Sequence, residues 1–187
     1  SISYYATTDK DTYINLTNHT YFNLLGDQVI DTHYFKLDAD AFMEIDEEMI
    51  PTGRKMMVEG TPMDFRRAKS IFRDIDADDA QINIAGGYDH NFVINGNGFR
   101  KFAELSTTVD GVWMRAYTDR PCVQFYSGNF LGKIAVHGGV IIGKRCGLCL
   151  ETQGYPNSMN VGDVEADLLK AGEEYRSKTQ FLFGEFC

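Results

Sequence analysis

Ala103-Glu104-Leu105-Ser106-Thr107-Thr108-Val109-Asp110-Gly111-Val112-Trp113-Met114-Arg115-Ala116-Tyr117-Thr118 reads as two strands, Ala103 to Val109 and Val112 to Thr118, joined at Asp110-Gly111. Asp-Gly between two β-forming runs is a strong hairpin signal, because both residues accept the positive φ of a tight turn. Upstream, Phe92-Val93-Ile94 is a strand followed by Asn95-Gly96 and Asn97-Gly98, two further hairpin signals. Ser3 to Thr7 and Thr12 to Asn18 read as strands joined by the polar turn Thr8-Asp9-Lys10-Asp11, and Tyr34 to Leu37 as another. Asp38 to Glu48 carries six acids and reads as an acidic surface loop, with Ala41, Phe42 and Ile45 touching the body. Met49 to Gly53 reads as a loop and Met56 to Val58 as a short edge strand. Downstream, Cys122 to Tyr126 and Arg145 to Gln153 are strands on either side of a glycine-rich connection, and a last strand runs through Phe181 and Phe183. No stretch keeps a helical period over three turns. Many short strands with dense Gly and Asn turns predict an all-β chain, a β-sandwich or a relative of one. No repeat or linker divides it, so one domain over residues 1–187 is expected.

The 187 residues are enough to bury a sizeable core. A net charge of −9 argues against nucleic acid or an anionic membrane as the main partner. No apolar run is long enough to span a bilayer, and no signal peptide is recognisable at Ser1. Ile2, Tyr4 and Thr8 read as a strand already under way, so Ser1 is not expected to be the natural start. The four cysteines are Cys122, Cys146, Cys149 and Cys187. Cys146 and Cys149 form one Cys-x-x-Cys without a second ligand pair, which argues against zinc. They are read as reduced core cysteines of a cytoplasmic protein, on opposite sides of one strand because three is an odd step in a period of two. Asp74, Asp76 and Asp78 match the start of a calcium loop, but its glycine and closing Glu are missing, so that reading is rejected.

Polar residues of definite chemistry punctuate the strands. Asn15-Leu16-Thr17-Asn18-His19-Thr20-Tyr21-Phe22-Asn23-Leu24 sets a histidine among amide, hydroxyl and aromatic groups, a composition suited to sugar hydroxyls and C–H faces; a core-edge histidine satisfied by a neighbour is the alternative. In Leu148-Cys149-Leu150-Glu151-Thr152-Gln153, strand alternation puts Cys149, Glu151 and Gln153 on one face. An ionised Glu there is costly to bury unpaired, and a salt bridge to Arg145 or Lys144 is the structural alternative to a functional role. For Asp89 the alternative is turn-capping, and for Gln124 a hydrogen-bonded core amide.

Five segments, Asn18 to Leu24, Gly60-Thr61-Pro62-Met63-Asp64-Phe65, Gly87-Tyr88-Asp89-His90-Asn91-Phe92, Val123-Gln124-Phe125-Tyr126-Ser127-Gly128-Asn129 and Cys149 to Gln153, together resemble the aldose 1-epimerase (galactose mutarotase) family, in order and at fitting intervals over nearly the whole chain. The resemblance implies a large twisted β-sandwich binding a free hexose in a cleft on one sheet. It implies interconversion of α and β anomers at C1 without metal or organic cofactor. By the same similarity Glu151 is the general base for the C1 hydroxyl and His19 the general acid for the ring oxygen. Asp89 holds sugar hydroxyls, and Gln124 and Tyr21 line the site. These residue types suit the chemistry, since imidazole and carboxylate exchange protons near neutral pH. The competing expectations are an epimerase of hexose 6-phosphates, which wants cations at the rim, and a non-catalytic carbohydrate-binding module.

Family members are longer and supply an arginine and a second histidine from an N-terminal half. No residue here matches those positions, and His33, His90 and His137 are not assigned to them. Asn157 stands where the family has an aspartate after proline, and Val161 to Leu169 lacks the family's Phe-Pro. The chain is therefore expected to be the C-terminal part of a mutarotase-like sandwich, incomplete at its N-terminus. By itself it is expected to have low activity and to associate.

Overall fold

The computed structural model describes residues 1–26, 29–107, 111–162 and 167–186. In chain order the strands are β1 (Ile2–Thr7), β2 (Thr12–Tyr13), β3 (Tyr21–Phe22), β4 (His33–Leu37), β5 (Ala39–Ile45), β6 (Pro51–Met57), β7 (Lys69–Ser70) and β8 (Asp89–Ile94). They continue as β9 (Arg100–Thr107), β10 (Val112–Thr118), β11 (Cys122–Tyr126), β12 (Ile134–Ala135), β13 (Ile141–Ile142), β14 (Leu148–Gln153), β15 (Leu168–Leu169) and β16 (Glu174–Glu185). Two six-stranded sheets form, β1-β16-β10-β9-β4-β7 and β3-β14-β11-β8-β5-β6, with antiparallel neighbours. The ribbons β12-β13 and β15-β2 are separate.

Alternation builds the core. In β4, His33, Phe35 and Leu37 are buried while Tyr34 and Lys36 face out. In β14, Leu148, Leu150 and Thr152 point inward. Apolar faces of the two sheets meet: Phe35 of the first sheet packs on Phe125 of the second with ring centroids 4.5 Å apart. Phe65, Tyr88 and Phe92 close the aromatic cluster around Phe125. The result is an all-β sandwich with one short helix, α1 (Ala80–Ala85), among the described residues. Asp79 caps that helix by accepting from the backbone N–H of Gln81 and Ile82, and Gly86 ends it in the left-handed conformation.

Four local expectations are corrected. The predicted strand Thr12 to Asn18 survives only as β2. Ile14 donates its N–H to Asp167 and Asn15 accepts from the Gly154 N–H, so residues 14–20 follow irregular contacts instead of a ladder. The expected acidic loop Asp38 to Glu48 contains β5, in which Phe42, Met43 and Ile45 are buried; Asp40 and Glu44 pair with Arg66 and Arg54 at the surface. The expected loop at Met49 to Gly53 gives way at Pro51 to β6, an edge strand that also contains the predicted strand at Met56. Asn95 to Gly98 makes no hairpin: β8 belongs to the second sheet and β9 to the first, so the turn crosses the sandwich. Arg100 ties that crossing down by donating to the carbonyls of Ile94, Asn95, Gly98 and Thr118.

The β9–β10 pairing is as expected, though Thr108 to Asp110 lie outside the described residues, as do 163–166 and Cys187. Cys122, Cys146 and Cys149 are free thiols. Cys146 sits in the turn before β14, so it does not share a strand with Cys149. Asp74 is held by Lys69 and Arg73, and Asp76 by Arg145, which engages two of the three acids of the rejected calcium motif. Among the described residues no helix is long and apolar enough to cross a membrane.

Candidate active site

The register of the second sheet lays the polar residues out as a grid. Tyr21 of β3, Cys149 of β14, Tyr126 of β11 and Asp89 of β8 lie directly across from one another. The next row is Glu151, Gln124 and Asn91. Because β3 runs antiparallel to β14 from the Tyr21–Cys149 pair, His19, two residues before Tyr21, falls beside Glu151. Its Nε2 lies 3.4 Å from Glu151 Oε1. Gln124 Nε2 donates to Asp89 Oδ1 at 2.7 Å, and Gln153 Nε2 to Asn91 Oδ1 at 3.2 Å. His19, Tyr21, Asp89, Gln124 and Glu151 thus share one face. Arg145, the structural alternative as partner for Glu151, is instead hydrogen-bonded to both oxygens of Asp76.

The loop ahead of Asp89 is held tightly. Ser127 and Tyr88 exchange hydrogen bonds, and Asn129 Nδ2 donates to the carbonyls of Ala85 and Tyr88. Gly87 has φ +140°, and a Cβ there would meet the Asn129 amide at 2.3 Å, so only glycine fits. Tyr126 is fixed by accepting the Phe130 N–H. The rings of Tyr21 and Tyr126 stand 5.1 and 6.2 Å from the His19 ring.

Burial raises the pKa of both carboxylates. For Glu151 the neighbouring Asp89 adds to the rise and His19 opposes it. For Asp89 the Gln124 hydrogen bond and His19 oppose it. Burial also pushes the Tyr21 hydroxyl up to about 12 and drives the Cys149 thiol upward, so both stay protonated. A carboxylate of raised pKa is a stronger base than an exposed one, which suits proton abstraction near neutral pH.

These shifts carry a stability consequence. A carboxyl whose folded pKa lies above its unfolded value ionises first in the unfolded chain, so stability falls as pH rises beyond about 4. Glu151→Gln removes that loss. The variant is expected to be more stable than the parent at pH 7, with the gain shrinking as pH is lowered to about 3. Urea titrations of both proteins across this range measure it. An unchanged difference with pH, or a less stable variant at pH 7, contradicts the assignment. His33 and His90, both held neutral by burial with pKa about 4, are common to the two proteins and cancel in the difference.

His19, Cys149 and Glu151 each offer an atom within 4.8 Å of the others, the one such group that could hold a metal among the described residues. Cys149 Sγ addresses His19 Nδ1 at 3.3 Å, while Glu151 addresses Nε2. The two closest contacts therefore use different ring nitrogens. The arrangement is a hydrogen-bond chain. Sequence reasoning omitted Tyr126 and Asn91 from this face; it placed Cys149 in the core, where it is fully buried, but did not see its contact with His19. The signal was present in the two-residue steps Gln124–Tyr126, Asp89–Asn91 and Cys149–Glu151.

Fold and geometry define a class: a β-sandwich that sets a His19–Glu151 contact and a Gln124-bound Asp89 on one face of one sheet. The chain belongs to the aldose 1-epimerase family, which it matches over residues 1–182. It is 39% identical to the galactose mutarotase of Sus scrofa over 97% of this chain and 53% of that protein. It is also 39% identical to the aldose 1-epimerase of Escherichia coli over 98% of this chain and 54% of that protein. The chain therefore spans about half the length of the curated relatives it matches. Among solved structures, an aldose epimerase homologue from C. elegans superposes with TM-score 0.86 at 25% identity, covering 98% of this chain and 55% of that one. Galactose 1-epimerase from Lactobacillus acidophilus superposes with TM-score 0.84 at 31% identity, covering 98% and 52%.

Proposed function

We propose that the protein containing this chain is a cytoplasmic aldose 1-epimerase acting on a free hexose such as galactose or glucose, with the described chain as one mutarotase-like domain. The observation that carries the reading is the 3.4 Å contact of Glu151 with His19, beside the Gln124-bound Asp89. In a cyclic hemiacetal the hydroxyl oxygen and the ring oxygen are both bonded to C1. An acid and a base that must serve two oxygens on one carbon have to sit side by side, and these do.

Glu151 takes the proton from the C1 hydroxyl. The C1–O1 bond becomes a carbonyl, the bond from C1 to the ring oxygen breaks, and that oxygen takes the Nε2 proton of His19 in its imidazolium form, leaving the remaining proton on Nδ1. Rotation about C1–C2 presents the other carbonyl face. Reclosure returns the proton from the ring-oxygen side to His19 and one from Glu151 to O1. Asp89, an acceptor held by Gln124, fits a pair of sugar hydroxyls, and Tyr21 and Tyr126 offer flat faces to ring C–H groups. No cofactor enters this sequence. Free thiols at Cys122, Cys146 and Cys149 fit a reducing compartment. A hexose 6-phosphate would need cations here, but Arg145 is tied to Asp76. A pure binding module would not need an acid and a base in contact.

Polarimetry of freshly dissolved α-galactose tests the proposal on the protein expressed from its full reading frame. Acceleration above the buffer rate is expected, and none would overturn it. In the same assay Asp89→Asn keeps an oxygen for Gln124 but loses the charge. KM is expected to rise about tenfold or more, the effect of a weakened charged hydrogen bond, with turnover also reduced. An unchanged KM would remove Asp89 from the binding set.

A further inference from the structure

We infer that Cys149 is a positioning residue: its thiol donates to His19 Nδ1 and so fixes which imidazole nitrogen carries the proton toward Glu151 and the substrate. The inference rests on the reading of Glu151 as the base. His19 is half exposed, with side-chain exposure of 53%, and the tyrosine rings beside it offer no hydrogen-bond partner that would select its tautomer. Among the described residues its polar neighbours are Cys149 Sγ at Nδ1 and Glu151 Oε1 at Nε2. A neutral imidazole has one donor and one acceptor nitrogen. With an ionised carboxylate facing Nε2, the proton belongs on Nε2, and Nδ1 is left needing a donor. The Cys149 thiol is the group placed to supply it. Cys149 is fully buried on β14, locked in register between Tyr21 and Tyr126, so its sulfur position is set by the sheet.

A thiol also suits a residue that changes protonation state. While His19 is neutral, S–H donates to Nδ1. Once His19 is an imidazolium both nitrogens are donors, and the sulfur turns to accept weakly from Nδ1, a role it keeps after Nε2 has passed its proton on and until the resting tautomer is restored. Tyr21 is paired directly across from Cys149 in the sheet, beside the chain Cys149–His19–Glu151. The thiol stays protonated in this setting, because burial and the nearby carboxylates oppose a thiolate.

Nitrogen-15 NMR of His19 at pH 8 reads the arrangement without substrate, so its outcome is independent of whether the protein interconverts anomers. In the wild-type protein His19 is expected to be protonated on Nε2, with the Nδ1 resonance shifted as for a hydrogen-bonded acceptor. Cys149→Ala is expected to return Nδ1 to the position of an unbonded nitrogen, and Cys149→Ser to keep the bonded position. If the full protein catalyses mutarotation, Cys149→Ala should lower kcat about tenfold with KM little changed, and Cys149→Ser should recover most of it. A wild-type His19 protonated on Nδ1 overturns the inference with no variant needed. An Nδ1 resonance identical in wild type and Cys149→Ala overturns it as well.

Discussion

Glu151→Gln is expected to lower the catalysed rate of mutarotation by about 10²–10⁴-fold while sugar binding persists, the usual contribution of one placed proton-transfer group. The substitution keeps side-chain size and an oxygen toward His19. It removes the lone pair of a carboxylate whose pKa is raised by burial and by Asp89. No other described residue on this face replaces it. Asp89 is engaged by Gln124, and Tyr21 and Cys149 hold their protons too firmly to act as bases. The same variant is expected to gain stability at pH 7, so a rate loss through unfolding is distinguished by the urea titration. Polarimetry gives kcat and KM, and equilibrium dialysis with labelled galactose gives binding. A variant within threefold of the parent rate would place the base elsewhere.

Phe125→Ala is expected to cost about 3–5 kcal/mol, a large part of the roughly 5–15 kcal/mol that holds a domain folded. Phe125 is fully buried on β11, stacked on Tyr88 at 5.2 Å and packed on Phe35 at 4.5 Å and Phe65 at 5.5 Å. Its ring is one of the contacts between the two sheets, since Phe35 belongs to the opposite one. Removing it leaves a cavity bounded by strands of both sheets, which have little freedom to collapse. Gln124→Ala, one residue away on the other face, leaves that contact intact and is expected to cost far less. Denaturant midpoints of the two variants separate the cases. A Phe125→Ala protein as stable as Gln124→Ala would mean that the sheets are joined elsewhere.

What the sequence determined by itself is local. Period-two alternation in Leu148 to Gln153 put Cys149, Glu151 and Gln153 on one face, and they share it. Asp-Gly at 110–111 announced the pairing of β9 with β10. The five family segments named His19, Glu151, Asp89, Gln124 and Tyr21, and the sheet collects all five. What the tertiary structure decided is which strands became neighbours and in what register. Asn95 to Gly98 carries good hairpin chemistry, yet the chain crosses between sheets there, because β8 finds β5 and β11 while β9 finds β4 and β10. Asp38 to Glu48 looked solvated by its charge, yet β5 forms, since Phe42, Met43 and Ile45 gain a core and Asp40 and Glu44 find arginines at the surface. Residues 14–20 alternate like a strand, but Ile14 gives its N–H to the Asp167 carbonyl and the Asn15 side chain takes the Gly154 N–H, so no ladder continues. A side chain's face follows from the pleat of its own strand. The residue across from it depends on pairings made over more than a hundred residues of chain, as that of Cys149 with Tyr21 does.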